Sequence, residues 1–319
     1  MNSSGLHHIT AVAGDPQRNY DFYAGLLGLR LVKKTVNFDD PSVYHLYYGD
    51  REGNPGTVLT FFPWSRLQKG HPDRGQAVAL SFAVPPGALD YWSERLDGEH
   101  VGMVEPFERF GRRVMGLQDP DGLHLELAES EEAAGMPGPD NGRVPDEHAV
   151  RALQGVTLAE GDPGPTAELL TGVLGYEHAA SEGDRHLYLP AGGENSGEHS
   201  SVGHGSAVEI IGGAELDGRP GRGTVHHVAF RARDEEHQDQ IARALIDRGY
   251  HVTDRRDRQY FRSVYFHEPG GVLLEIATDG PGFAIDEEPS QLGGELKLPD
   301  WLESKRDTIE ADLKELQTL

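Results

Sequence analysis

The sequence predicts an α+β fold made of four tandem βαβββ units in two duplicated halves. Three alignments of the chain with itself carry this reading. His8-Ile-Thr-Ala-Val-Ala-Gly-Asp15-Pro16 returns as Gly155-Val-Thr-Leu-Ala-Glu-Gly-Asp162-Pro163, an offset of 147 that also carries Gly28 to Gly175. Gly75-Gln-Ala-Val-Ala79-Leu-Ser-Phe82 returns as Gly223-Thr-Val-His-His227-Val-Ala-Phe230 at an offset of 148. Asp119-Pro-Asp-Gly-Leu-His-Leu-Glu126-Leu returns as Glu268-Pro-Gly-Gly-Val-Leu-Leu-Glu275-Ile at an offset of 149. Self-similarity at a fixed period marks duplicated supersecondary units.

Unit one opens with a strand-like run over residues 6–13. Asp15 suits an N-cap and Pro16 the first helical position. Tyr20, Tyr23, Ala24 and Leu27 recur at helical spacing, and Gly28 ends the run. Strands are predicted near residues 30–37, 43–48 and 57–62. Unit two spans about 76–128, with a helix near 88–96. An acidic stretch rich in Pro and Gly, 131–149, reads as a surface crossover between a domain at 1–130 and another at 150–280. Unit three spans about 153–211, and its loop 192–205, rich in Gly, Ser and Glu, reads as mobile. Unit four runs from Gly223 to Gly280: a strand through His226-His227, a helix over 235–248, then strands at 250–252, 262–267 and 271–277. The tail, 281–319, is expected to end in one helix over 299–318 that buries Trp301, Leu302, Ile309, Leu313 and Leu316.

Composition narrows the function classes. The chain has 319 residues, no cysteine and a formal net charge of -24. A thiolate metal site, a Cys nucleophile and a disulfide framework are excluded, so any metal must be held by His and carboxylates. The acidic balance disfavours nucleic acid and anionic membranes as partners. No window approaches the roughly 18 uncharged apolar residues of a membrane span, and no basic-apolar leader pattern is seen, so a cytoplasmic protein is expected. Only six of the 29 basic residues are lysines, a composition suited to concentrated salt.

In a strand, side chains two apart share a face. His227 and Ala229 therefore share one face of their strand, and Leu273, Glu275 and Ala277 share one of theirs. With His8 at the repeat position of His227, these residues form a candidate His-His-Glu metal set.

Four βαβββ units in tandem resemble the vicinal oxygen chelate superfamily, which includes glyoxalase I, bleomycin-resistance proteins and extradiol dioxygenases. Leu6-His-His-Ile-Thr-Ala, Asp40-Pro-Ser-Val-Tyr-His-Leu-Tyr-Tyr-Gly-Asp50, Asp257-Arg-Gln-Tyr-Phe-Arg-Ser-Val-Tyr-Phe266 and Leu298-Pro-Asp-Trp-Leu-Glu303 resemble one branch more closely, the ring-cleaving dioxygenases acting on hydroquinones. The resemblance implies mixed sheets curled into cups, with metal at the centre of a cup formed by paired units.

The repeat then assigns the ligand positions. First-strand positions are His8, Ala79, Gly155 and His227; last-strand positions are Thr60, Glu126, Glu209 and Glu275. Units one and four bring His8, His227 and Glu275, whereas units two and three bring no imidazole, so one cup is expected to bind metal. Thr60 at a carboxylate position leaves two His and one carboxylate, the facial set of non-haem Fe(II) oxygenases; Mn(II) suits the same ligands. The resemblance implies extradiol-type opening of a hydroquinone or catechol ring by O₂. It further matches Arg258, Tyr265, His226 and His7 to acid–base and oxyanion-stabilising roles. Strand alternation alone would point His7 and His226 to the opposite face. His45, Thr60 and Phe283 are candidate substrate contacts, and Phe62, Trp64 and Tyr260 candidate aromatic walls. Two other readings remain open: a glyoxalase- or isomerase-type metalloenzyme, and a metal-free protein that sequesters an aromatic molecule. The tail and the linker are candidate surfaces for a homo-oligomer.

Overall fold

A computed structural model describes residues 3, 5–191 and 206–318. The loop expected to be mobile, 192–205, lies outside the described residues.

Sixteen strands are described. Unit one supplies β1 (Leu6–Ala13), β2 (Arg30–Asn37), β3 (Asp40–Gly49) and β4 (Val58–Pro63). Unit two supplies β5 (Gln76–Val84), β6 (Met103–Arg109), β7 (Arg112–Gln118) and β8 (His124–Glu129). Unit three supplies β9 (Ala152–Ala159), β10 (Tyr176–Glu182), β11 (Arg185–Pro190) and β12 (Ala207–Ile211). Unit four supplies β13 (Thr224–Ala232), β14 (Arg256–Asp257), β15 (Phe261–His267) and β16 (Leu273–Pro281). The strand expected at 250–252 is not formed; instead the two residues of β14, farther along the chain, pair with β15.

The strands form two mixed, curled sheets of eight. One runs β14-β15-β16-β13-β1-β4-β3-β2 and joins units one and four. The other runs β10-β11-β12-β9-β5-β8-β7-β6 and joins units two and three. At each centre, first strands pair antiparallel (β1 with β13, β5 with β9), and each also pairs parallel with the last strand of its own unit.

Local chemistry explains the helices. α1 (Pro16–Tyr20) starts where the Asp15 carboxylate accepts from the backbone N–H of Gln17 and Arg18. It runs on as a π-helical stretch, Asp21–Leu26, and the chain turns at Gly28 with φ +75°. α2 (Ala88–Gly98), α3 (Gly164–Gly172) and α4 (Glu235–Asp247) each turn apolar residues inward, including Trp92, Leu170 and Ile241. These join residues of both sheets, such as Ile9, Phe61, Phe82 and Phe230, in one core.

The tail departs from expectation. In place of one helix it forms α5 (Asp300–Glu303) and α6 (Arg306–Asp312). Leu302 and Ile309 are buried, but Trp301 is 49% exposed and lies edge-on to Phe38. Before these helices the tail is fastened to the first sheet. Lys33 Nζ, fully buried, donates to Asp286 at 2.6 Å and to Glu287, and lies 4.9 Å from the centre of the Tyr260 ring.

Glu160 is a buried carboxyl outside both cups. Glu160 is 1% exposed and its Oε1 has no hydrogen-bond partner. A Cβ on Gly270 would lie 1.5 Å from Glu160 Oε2, so only glycine admits this approach. Burial, and then Glu268 nearby, push the Glu160 pKa up to about 8. A carboxyl with a raised folded-state pKa contributes fully below its unfolded value, and that contribution is lost as pH rises towards about 8. Glu160→Gln should therefore raise the thermal midpoint at pH 8 by roughly 5 °C and leave it unchanged at pH 4, measured by calorimetry.

Candidate metal centre

His8 on β1, His227 on β13 and Glu275 on β16 lie on three adjacent strands of the first sheet. His227 Nε2 is 2.9 Å from Glu275 Oε2 and 3.4 Å from His8 Nε2, and His8 Nε2 is 3.6 Å from Glu275 Oε2. Two donors each about 2.1 Å from one ion, roughly 90–110° apart, are themselves separated by about 3.0–3.4 Å. The triangle thus has the spacing of three ligands on one face of an ion.

Burial makes this arrangement costly without a cation. All three residues are buried. Glu275 Oε1 accepts from the Ser263 hydroxyl, but Oε2 is buried with no hydrogen-bond partner. A buried carboxylate oxygen left in that state is strongly destabilising unless a positive charge meets it. Burial holds the His8 pKa well below its ordinary value and, with Arg258 adding, that of His227 at about 3. Both rings are therefore neutral near pH 7 and can offer lone pairs. The donor set fits a divalent metal ion.

The neighbouring histidines fix which nitrogens are bare. His7 Nε2 is 3.1 Å from the Thr278 carbonyl, which can only accept, so Nε2 carries a proton. Burial lowers the His7 pKa to about 4, leaving the ring neutral and Nδ1 an acceptor. His8 Nδ1, 2.8 Å away, must then donate, and His8 Nε2 is left bare towards the cluster. His226 Nδ1 lies at the same 2.8 Å from His227 Nδ1. If His227 Nε2 is a ligand, its Nδ1–H donates, and His226 presents Nε2–H at the cup mouth. His7→Phe, which cannot accept from His8, is expected to weaken metal affinity about 10–100-fold, read by titration with a competing chelator.

Simple alternation pointed His7 and His226 away from the cup; the structure corrects this. Leu6 pairs with Phe230 and His8 with Ala229, while Thr10 pairs with His227 and Ala11 with Val225. His7 and His226 are each the extra residue of a bulge, and a bulge re-aims its side chain. The second sheet has register shifts at Val78 and Gln154, the repeat equivalents of His226 and His7, so the device belongs to the duplicated fold.

Thr60 does not join the cluster. Its hydroxyl is 2.9 Å from Thr10 Oγ1 and 2.8 Å from His45 Nε2, and His45 Nδ1 is 2.8 Å from the Tyr47 hydroxyl. His45 thus sits in a four-member polar chain, its pKa held well below the usual value by burial. Phe283, from the tail, packs against Tyr47 and Tyr260 with ring centres 5.1 and 5.2 Å away. Phe62 and Trp64 instead flank His226, at 5.6 and 6.5 Å.

Arg258 and Tyr265 stand beside His227 and Glu275. Arg258 Nε donates to the Tyr265 hydroxyl at 3.1 Å, and Nη1 donates to Asp39 at 3.0 Å. The Tyr265 ring lies edge-on to His227, 5.7 Å between centres. Burial, then the Glu275 charge, raise the Tyr265 pKa, so the hydroxyl stays protonated at neutral pH. Sequence reasoning missed Ser263, Tyr47, Thr10, Asp39 and the Thr278 carbonyl. Ser263 was within reach, since it stands two residues before Tyr265 on the same strand face.

In the second sheet the equivalent carboxylates meet guanidinium groups. Arg109 donates to both oxygens of Glu126, at 2.8 and 2.5 Å, and lies 3.2 Å from Glu209, which also pairs with Arg185. Among the described residues, the one group suited to a metal ion is His8, His227 and Glu275.

This fold and this site define a known class. The model of the Glyoxalase/Bleomycin resistance protein/Dioxygenase superfamily matches residues 5–127 and 152–276, and the chain belongs to that superfamily. The chain is 44% identical over 97% of its length to "Putative ring-cleaving dioxygenase MhqO" of Bacillus subtilis (strain 168), covering 95% of that protein. It is 33% identical to the chlorohydroquinone/hydroquinone 1,2-dioxygenase of Sphingobium indicum, over 96% of this chain and 94% of that one. The crystal structure of a "putative dioxygenase" from Bacillus subtilis superposes with a TM-score of 0.91 at 43% identity, covering 99% of this chain and 98% of that one. These relatives place the chain among the dioxygenase enzymes of the superfamily. Among the described residues no helix is long and apolar enough to cross a membrane.

Proposed function

We propose that this chain opens a hydroquinone or catechol ring with O₂, in the extradiol manner, using Fe(II) held by His8, His227 and Glu275, with Mn(II) as an alternative metal. One observation carries the reading: two neutral imidazole nitrogens and an unsatisfied carboxylate oxygen converge in a buried cup. The relatives named as ring-cleaving and hydroquinone dioxygenases support it. The bound ion would supply Lewis acidity and a path for electrons between ring and oxygen, its open face left by three protein ligands.

The chain's own residues do the rest. Phe62 and Trp64 offer apolar faces to a planar ring at the mouth. The Tyr265 hydroxyl, kept protonated, donates a hydrogen bond to a substrate oxygen beside His227. Arg258, anchored by Asp39, offsets negative charge that develops there. His226 holds an N–H at Nε2, where the ring meets solvent, and can donate a hydrogen bond from it to an oxygen of the substrate. Glu275 leaves the three-ligand set one negative charge, so a divalent ion keeps net positive charge for a phenolate.

The test is metal analysis with oxygen uptake on hydroquinone and on catechol. One metal per chain and stoichiometric oxygen consumption are expected. A metal-free protein with no uptake would favour the sequestering reading; metal without uptake would favour a glyoxalase- or isomerase-type reaction. Tyr265→Phe should keep its metal and lose about 10²-fold in kcat, a loss typical of removing one positioned proton donor.

A further inference from the structure

The second cup contains a cavity of about 830 Å³. It occupies the concave face of the sheet built from units two and three, at the repeat equivalent of the metal cluster. Where the first cup has the His227 ring, this one has Ala79; where it has His8, this one has Gly155. Ala79 lines the cavity in place of an imidazole, so space remains there; Gly155 is packed against the Ala207 backbone instead, where a Cβ would meet the carbonyl oxygen at 2.6 Å.

The lining is divided by chemistry. Met103, Val104, Phe107 and Leu117 contribute apolar surface, and Val104 and Phe107 are among the exposed large hydrophobic residues, at 59% and 39%. Apolar side chains left open towards a cavity are a feature of ligand sites. The floor carries Arg109 and Arg185 against Glu126 and Glu209, two positive charges on two negative. Arg109 also lies 5.8 Å from the centre of the Phe107 ring. The rim adds Glu108, Glu182 and Asp184.

These features select one ligand class. The floor is already neutral, and the rim is acidic, so an anion would meet repulsion with no free positive charge to offset it. A wholly apolar ring would strand the polar floor. A neutral hydroxyaromatic ring satisfies both: its face covers Phe107 and Val104, and its hydroxyl meets guanidinium donors and carboxylate acceptors. We propose that the second cup is a non-catalytic binding site for a neutral hydroxyaromatic ring. No ligand position is left there for a metal, since the guanidinium groups hold both carboxylates.

The test is equilibrium binding of hydroquinone, under anaerobic conditions, to the protein as isolated and to two variants. Ala79→Phe puts a ring where the other cup carries an imidazole and should block the part of the cavity between Thr157 and the ion-paired floor. Phe107→Ser removes the apolar face from the exposed strand β6. Ala79→Phe is expected to bind one equivalent fewer than the unmodified chain, and Phe107→Ser to weaken that equivalent roughly tenfold. Benzoate should fail to displace it. The count falls by one whether or not the metal cup also binds hydroquinone, so the two sites are tested separately. Unchanged stoichiometry in Ala79→Phe, unchanged affinity in Phe107→Ser, or displacement by equimolar benzoate would overturn the proposal.

Discussion

Glu275→Gln is expected to reduce bound metal from about one ion per chain to nearly none and to lower oxygen uptake at least about 10³-fold. The amide keeps the shape of the carboxyl group and can still accept from the Ser263 hydroxyl. It removes the one negative charge among the three ligands, and a divalent ion held by two neutral imidazoles and a neutral amide is bound far more weakly. The same change should not unfold the protein. It replaces an unsatisfied buried carboxylate oxygen with a neutral group, which lowers the desolvation cost when no metal is bound. Metal loss with a retained or raised thermal midpoint separates a ligand from a structural residue. His227→Ala should also lose metal and turnover, but it opens a cavity in the cup and its midpoint should fall.

Lys33→Met carries the largest expected effect on stability. The Lys33 ammonium is fully buried and meets Asp286 and Glu287, the latter with a side chain only 4% exposed. Methionine fills a similar volume but removes the ammonium that both carboxylates contact, leaving only the more distant charges of Lys34 and Lys297. Breaking a buried pair from one side costs about 3–5 kcal/mol. Because both carboxylates belong to the tail, the loss should appear first there. Limited proteolysis should cut between residues 281 and 298 well before the sheets unfold. Phe283, which packs on Tyr47 and Tyr260, should then leave the cup. A triple change that also neutralises Asp286 and Glu287 should recover most of the stability, since a packed neutral cluster is no worse than a buried ion pair.

Repetition made the architecture legible. Offsets of 147–149 marked four units and put His8, His227 and Glu275 at matching positions, and the sheet order joins the strands that carry them. Period-two reasoning was sufficient for Glu275, on a strand that pairs in register with β15 between Ser263 and His267, whereas Tyr265 was reached only through the resemblance. It failed for His7 and His226, since a bulge adds one residue without any local sequence sign, and both are His-His pairs that alternation would split. The tail was misread for another reason. Leu302, Ile309 and Leu313 have helical spacing, but Ser304 and Lys305 interrupt the helix where the chain bends over Val36 and Phe38. The Lys33 anchor joins residues more than 250 positions apart, and no local pattern encodes such a pairing.

The most direct measurement is anomalous diffraction from crystals of the protein loaded with Mn(II) or Fe(II). A single peak is expected about 2.0–2.3 Å from His8 Nε2, His227 Nε2 and Glu275 Oε2, with none between Glu126 and Glu209. A peak elsewhere, or a loaded crystal with no peak among those three atoms, would contradict the assignment.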